Sequence, residues 1–173
     1  MFKTTANKIT MLRIVLIPVF LVLAYSDMMM AALAVYIIAC LSDFADGYIA
    51  RHYNQISNFG KFMDPLADKM LVLAAMCFFI ENGQMAGWAV AVVLFREFAV
   101  SGMRLLAVEQ GQVIAAAWSG KIKTAATMVC LIVMIVVNIH IVNVISTIII
   151  VGTTVYSGIE YFYVNRAVFK EAN

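Results

Sequence analysis

The chain has 173 residues, 64% of them hydrophobic and 13% charged, with a net charge of +2 and a mean hydropathy of +0.95. Soluble domains carry roughly 25% charged residues, so the composition excludes an ordinary soluble domain; the net charge itself says little, because the placement of charge matters more than its sum, and no nucleic-acid partner is expected. What remains is an all-α integral membrane protein, read as one domain over residues 1–173, with no repeat or low-complexity segment.

A bilayer is crossed by about 20 apolar residues. Six spans are predicted, over residues 8–25, 28–51, 60–81, 85–108, 120–138 and 143–165. Lys3, Lys8 and Arg13 around the start of the first apolar run resemble a signal peptide. No soluble region follows for such a peptide to export, so the run reads as a span. Pro18 is expected to kink it. Span two opens on Met28 to Met30, and span six carries Tyr156, Tyr161, Phe162 and Tyr163, which suit lipid packing and interfacial belts. Cys40, Cys77 and Cys130 fall in apolar runs without a second ligand nearby and read as small core hydrophobes. His140 is read as a loop residue between the last two spans.

The basic residues sort by gap. All twelve lie near the two ends of the chain or around the second and fourth gaps. The first, third and fifth gaps hold none, so the positive-inside rule places both termini in the cytoplasm. Spans two to four are apolar in their outer halves ("MMMAALAVYIIACL", "MLVLAAMCFFI", "MAGWAVAVVLF") and carry their ionisable residues in the inner halves. Charges facing lipid cost about 2.5–3.5 kcal/mol each on insertion scales, so a polar cavity is expected in the cytoplasmic half.

The densest charge is in "DFADGYIARHYNQISNFGKFMDPLAD", residues 43–68. On a helix, Asp43, Asp46, Gly47, Ala50 and Arg51 share one face, and Asp64 and Asp68 share another one turn apart. The short connector makes the two helices antiparallel neighbours, so four carboxylates can converge. Oxygen-only ligands suit hard dications, Mg²⁺ or Mn²⁺, and four carboxylates suffice for two of them. Such a pair stabilises charge on a phosphoryl group during displacement. Gly47 and Ala50 remove bulk beside the acids, as contact with a phosphate chain would need. Simple pairing of the aspartates with Arg51, Lys61 and Lys69 accounts for one or two of them only. A divalent-cation transporter is the reading from another class. It needs a path to both faces, which the apolar outer halves do not supply.

Written out, Asp43-x2-Asp46-Gly47-x2-Ala50-Arg51-x8-Gly60-x3-Asp64-x3-Asp68 resembles at every position the signature of the CDP-alcohol phosphotransferase family. These membrane enzymes displace CMP from a CDP-linked lipid or alcohol. "NKITMLRIVLIPVF", "REFAVSGMRLLAVEQG" and "WSGKIKT" are similar to the phosphatidylglycerophosphate synthase branch, covering most of the chain up to about residue 127. The resemblance implies transfer of a phosphatidyl group from CDP-diacylglycerol to glycerol 3-phosphate in phospholipid biosynthesis. It implies Asp43, Asp46, Asp64 and Asp68 as ligands of two divalent cations, Asp68 also as the base, and Gly47, Ala50, Arg51 and Gly60 around the CMP moiety. It also implies a homodimer, and the absence of a targeting extension points to a bacterial cytoplasmic membrane. Other acceptors within the family stay open, phosphatidylglycerol, giving cardiolipin, or inositol phosphate, whereas the Lys and Arg cluster of spans four and five disfavours free serine.

A dianionic acceptor needs cations in the same cavity. Arg96, Arg104, Lys121 and Lys123 are the candidates, with Arg166 within possible reach, and Arg104 with Lys121 makes the best clamp by depth. Glu97, Ser101 and Arg104 share one stripe of span four, from which Arg96 is turned by about 100°. Glu97 or Glu109 could instead neutralise any one of these cations.

Overall fold

In the computed structural model the apolar runs are helices and the polar gaps end them. The structure describes residues 5–52, 58–112, 114 and 117–166, apart from the side chains of residues 5–8, 43–52, 58–62, 64, 65 and 68. Six helices follow one another: α1 (Thr5–Tyr25), α2 (Met29–His52), α3 (Asn58–Glu81), α4 (Gly87–Glu109), α5 (Trp118–Val136) and α6 (His140–Val164). The fold is all-α, with each helix within three residues of its expected span at either end. α1 continues through Pro18, and His140, expected in a loop, opens α6 because Ile139 ahead of it is extended. The connector 53–57 lies outside the described residues.

The turns have local causes. Asp27 adopts a φ of 58°, a left-handed conformation that Asp tolerates, while the Met28 amide donates to the Leu23 carbonyl to close α1. After α3, Gly83 at φ 66° lets the Gln84 amide return to the Phe79 carbonyl at 2.8 Å.

α1 packs on α2 and α3, α5 on α6 and α2, and α4 chiefly on α6. The main core gathers Phe20, Tyr36, Leu71, Met76, Phe79, Val93, Leu131 and Met134. A smaller cluster of Val100, Met103 and Tyr161 sits apart. Tyr25 at the end of α1 donates to Glu81 at the end of α3, and Gln84 after α3 donates to Asn138 before α6 at 2.7 Å. These two bonds gather the three gaps free of Lys and Arg at one end of the bundle.

The surface is apolar and the interior partly polar. Phe95 is 78% exposed, Trp118 76% and Met30 74%, whereas Thr10, Arg13, Lys123, Asn143, Thr154 and Ser157 are buried. Three of the buried hydroxyls bond within their own helices, Thr127 to the Lys123 carbonyl at 2.9 Å, Thr147 to the Asn143 carbonyl at 2.8 Å and Ser157 to the Thr154 carbonyl at 3.1 Å. Cys40 and Cys130 are buried as expected, but Cys77 is exposed, because it points off the α3 face that meets the core. By length and composition, α5 and α6 are the two described helices apolar enough to cross a membrane.

Candidate active site

The aspartate motif lies on two helices, as its spacing requires. Asp43, Asp46, Gly47, Ala50 and Arg51 are in the last turns of α2, and Gly60, Asp64 and Asp68 in the first half of α3. With both segments helical, the intervals of three and four residues put each carboxylate pair on one helix face. α2 and α3 touch. The eight side chains of the motif lie outside the described residues. Among the described residues no group of three His, Cys, Asp or Glu could hold a metal, so the motif is the donor set to consider. Its all-oxygen chemistry suits a hard dication.

The residue after Asp68 leads into the next part of the site. Lys69 Nζ donates to Ser101 Oγ on α4 at 2.9 Å and stands 3.5 Å from Glu97 Oε2. Lys123 of α5 donates to Glu97 Oε1 at 2.6 Å, and Arg96 Nη1 donates to the same oxygen at 3.0 Å. Three helices thus deliver three cations to one carboxylate. Sequence spacing separates Arg96 and Glu97 by about 100°, yet the long Arg96 side chain folds back to its neighbour.

Two glycines give it room. A Cβ on Gly120 of α5 would lie 3.4 Å from Arg96 Nη2, and one on Gly158 of α6 would lie 3.2 Å from Arg96 Cγ. Arg96 Nε is buried without a hydrogen-bond partner among the described residues. Beside the cluster is a cavity of about 140 Å³, walled by Leu66, Met70, Leu73, Val93 and Phe98, with Lys69, Glu97 and Lys123 supplying its charge.

The other two acceptor candidates are engaged elsewhere. Arg104 Nε donates to the Tyr161 hydroxyl at 3.0 Å and its guanidinium stands 5.5 Å from that ring's centre. Lys121 lies 5.0 Å over the ring of the exposed Trp118, and Arg166 5.0 Å over Tyr163. The structure therefore brings Arg96 and Lys123 together and leaves Arg104 and Lys121 apart from them.

Several residues acquire roles that their sequence positions did not reveal. Tyr161, read with the interfacial aromatics, is 1% exposed and bonded to Arg104. A signal for this existed: Asn143, Thr147, Thr154, Ser157 and Tyr161 form a polar stripe on one face of α6. Arg13, counted only for orientation, is wholly buried on a helix whose neighbours are α2 and α3. Lys69 and Glu97, each read as a simple charge partner, are the link and the hub.

Comparison with known proteins bears on the whole chain. The family model for CDP-alcohol phosphatidyltransferase matches residues 3–156. The chain is 37% identical to the CDP-diacylglycerol--glycerol-3-phosphate 3-phosphatidyltransferase of Bacillus subtilis, with 96% of this chain and 97% of that protein covered. It is also 37% identical to the Escherichia coli K12 protein of the same name, over 71% of each chain. Against the probable phosphatidylglycerophosphate synthase of Mycobacterium tuberculosis H37Rv it is 38% identical, over 69% of this chain and 59% of the other. The extent of these matches, together with the complete aspartate signature, means that the chain belongs to the CDP-alcohol phosphatidyltransferase family.

Proposed function

We propose that the protein transfers the phosphatidyl group of CDP-diacylglycerol to glycerol 3-phosphate, giving phosphatidylglycerophosphate and CMP. The observation that carries this reading is the bridge made by Lys69. It follows Asp68 on α3 and ties that turn to Glu97, where Arg96 and Lys123 converge. Asp68 of the pyrophosphate-binding motif and Lys69, the first of the cations suited to a phosphate monoester, are thus neighbours on α3, and Lys69 reaches the cations that α4 and α5 deliver.

Asp43, Asp46, Asp64 and Asp68 would hold two divalent cations, Mg²⁺ or Mn²⁺. Bound there, the cations would supply charge neutralisation at the pyrophosphate. Gly47, Ala50, Arg51 and Gly60 accommodate the CMP moiety. The Asp68 carboxylate takes the proton from the acceptor hydroxyl. The hydroxyl oxygen then bonds to the phosphorus that carries the diacylglycerol, and the bond from that phosphorus to the bridging oxygen breaks, releasing CMP. Arg96 and Lys123 hold the acceptor phosphate, with Arg104 and Lys121 contributing to the positive potential around it.

All six helices span the bilayer, with both termini, the aspartates and a polar cavity facing the cytoplasm and the Lys- and Arg-free gaps outside. The exposed apolar residues of α4, Phe95 and Phe98 among them, fit this placement. A lipid donor explains why the reacting groups lie inside the membrane: its acyl chains stay in lipid while its headgroup meets a soluble acceptor at the interface. A bacterial cytoplasmic membrane and a homodimer complete the reading. The test is CMP release with glycerol 3-phosphate set against phosphatidylglycerol, inositol phosphate and serine. A requirement for glycerol 3-phosphate supports the assignment, and turnover with another acceptor alone overturns it.

A further inference from the structure

Glu97 is surrounded by more positive charge than one carboxylate needs. Lys69, Arg96 and Lys123 approach it at 3.5, 3.0 and 2.6 Å, from α3, α4 and α5. Among the described residues, three cations and one carboxylate leave a net charge of +2, the complement of a phosphate monoester dianion. We propose that Glu97 is a positioning residue for the acceptor, fixing the three cations as one unit that selects a dianionic phosphate monoester over a phosphodiester or a neutral acceptor. This inference rests on the reading of the cluster as the acceptor-phosphate site.

The geometry favours positioning over simple neutralisation. Lys and Arg are long and flexible, and unrestrained they extend toward water. Here Lys123 and Arg96 are held inside, with side chains 9% and 12% exposed, and Gly120 and Gly158 leave a slot for Arg96 between α5 and α6. Lys69, at 35%, is the most open of the three, and Ser101 fixes it from a second side. Take Glu97 away and three like charges repel from close range, so each moves to its own position. The cluster keeps its cations but loses its shape.

The consequence has a sign that separates the alternatives. In Glu97→Gln the net charge rises to +3, and Coulomb attraction alone would lower the KM for glycerol 3-phosphate. Loss of positioning raises it, by about tenfold for the misplacement of charge-assisted hydrogen bonds. A structural role alone would lower thermal stability and leave the ratio of the two substrates' KM values unchanged.

The experiment measures KM for glycerol 3-phosphate and for CDP-diacylglycerol on the full chain in detergent, for wild type, Glu97→Gln, Glu97→Asp and Lys123→Gln. The expected result is a KM for glycerol 3-phosphate raised about tenfold in Glu97→Gln, with the CDP-diacylglycerol KM within about twofold. Glu97→Asp, which keeps the charge, should recover most of the loss. If Glu97→Gln cannot be purified, Glu97→Asp decides, through a rise of about threefold confined to the acceptor. An acceptor KM that falls or stays unchanged, or that rises together with the donor KM, overturns the proposal. Lys123→Gln separates the two levels: if it leaves the acceptor KM unchanged, the acceptor-site reading itself fails. If it raises that KM while Glu97→Gln does not, the inference about Glu97 fails alone.

Discussion

Gly158 and Gly152 lie six residues apart on α6 and differ in what a methyl group would meet. At Gly152 there is nothing within 4 Å, while at Gly158 the added carbon would stand 3.2 Å from Arg96 Cγ. Replacing a helix-interior Gly by Ala gains about 0.8–1.0 kcal/mol in propensity, and Gly152→Ala should realise that gain. At Gly158 the Arg96 side chain must withdraw, because carbon atoms settle at about 3.5–4.0 Å. A shift of a few tenths of an ångström stretches the 3.0 Å bond from Arg96 to Glu97 toward the limit of good geometry. Loss of much of that charge-assisted bond costs about 1.5–3 kcal/mol, less what side-chain adjustment recovers, so the gain is offset or reversed. The two variants should therefore differ by about 1–2 kcal/mol, or roughly 2–8 °C in melting temperature for a chain of this size. Thermal unfolding in detergent measures the difference, and the KM for glycerol 3-phosphate should rise in Gly158→Ala alone. Equal stabilisation of both variants with an unchanged KM would refute the claim that Gly158 gives Arg96 its room.

Tyr161→Phe keeps the ring over Arg104 but removes the hydroxyl that accepts its Nε proton. Loss of that bond should lower stability by about 1 kcal/mol, read in the same melting assay, whereas Tyr161→Ala should cost about 3 kcal/mol or more by also emptying a buried site. Arg13→Met leaves a fully buried position without its cation. A substitution that changes the shape and chemistry of a fully buried side chain costs about 0.5–3 kcal/mol, so this variant should unfold at a lower temperature, while Arg13→Lys should fall between it and wild type.

Much of the fold was legible because it depends on local pattern. The apolar runs are long and their polar gaps sharp, so six helices could be drawn from hydropathy alone, and the aspartate spacing matters only through helical period. Pairing of helices was not legible. Nothing in residues 87–109 indicates that α4 packs on α6, and that pairing is what buries Tyr161 beside Arg104. Depth along a span suggested Arg104 with Lys121, but depth does not say which way a side chain points. Gly120 and Gly158, too far apart in sequence to be read together, let Arg96 through to Glu97, while Lys121 lies over an exposed tryptophan. The polar neighbours Asn138 and Asn143 suggest a loop around His140, yet Asn143 is buried within α6, where its carbonyl accepts from Thr147.

The most direct measurement is CMP release by the purified full chain, with CDP-diacylglycerol and each acceptor in turn, with Mg²⁺, Mn²⁺ or a chelator, for wild type and Asp68→Asn. The account predicts metal-dependent release that needs glycerol 3-phosphate, stops in chelator, and falls by about 10²-fold or more in Asp68→Asn, the scale on which a general base contributes. Release that proceeds undiminished in Asp68→Asn, or that requires a different acceptor, would contradict it.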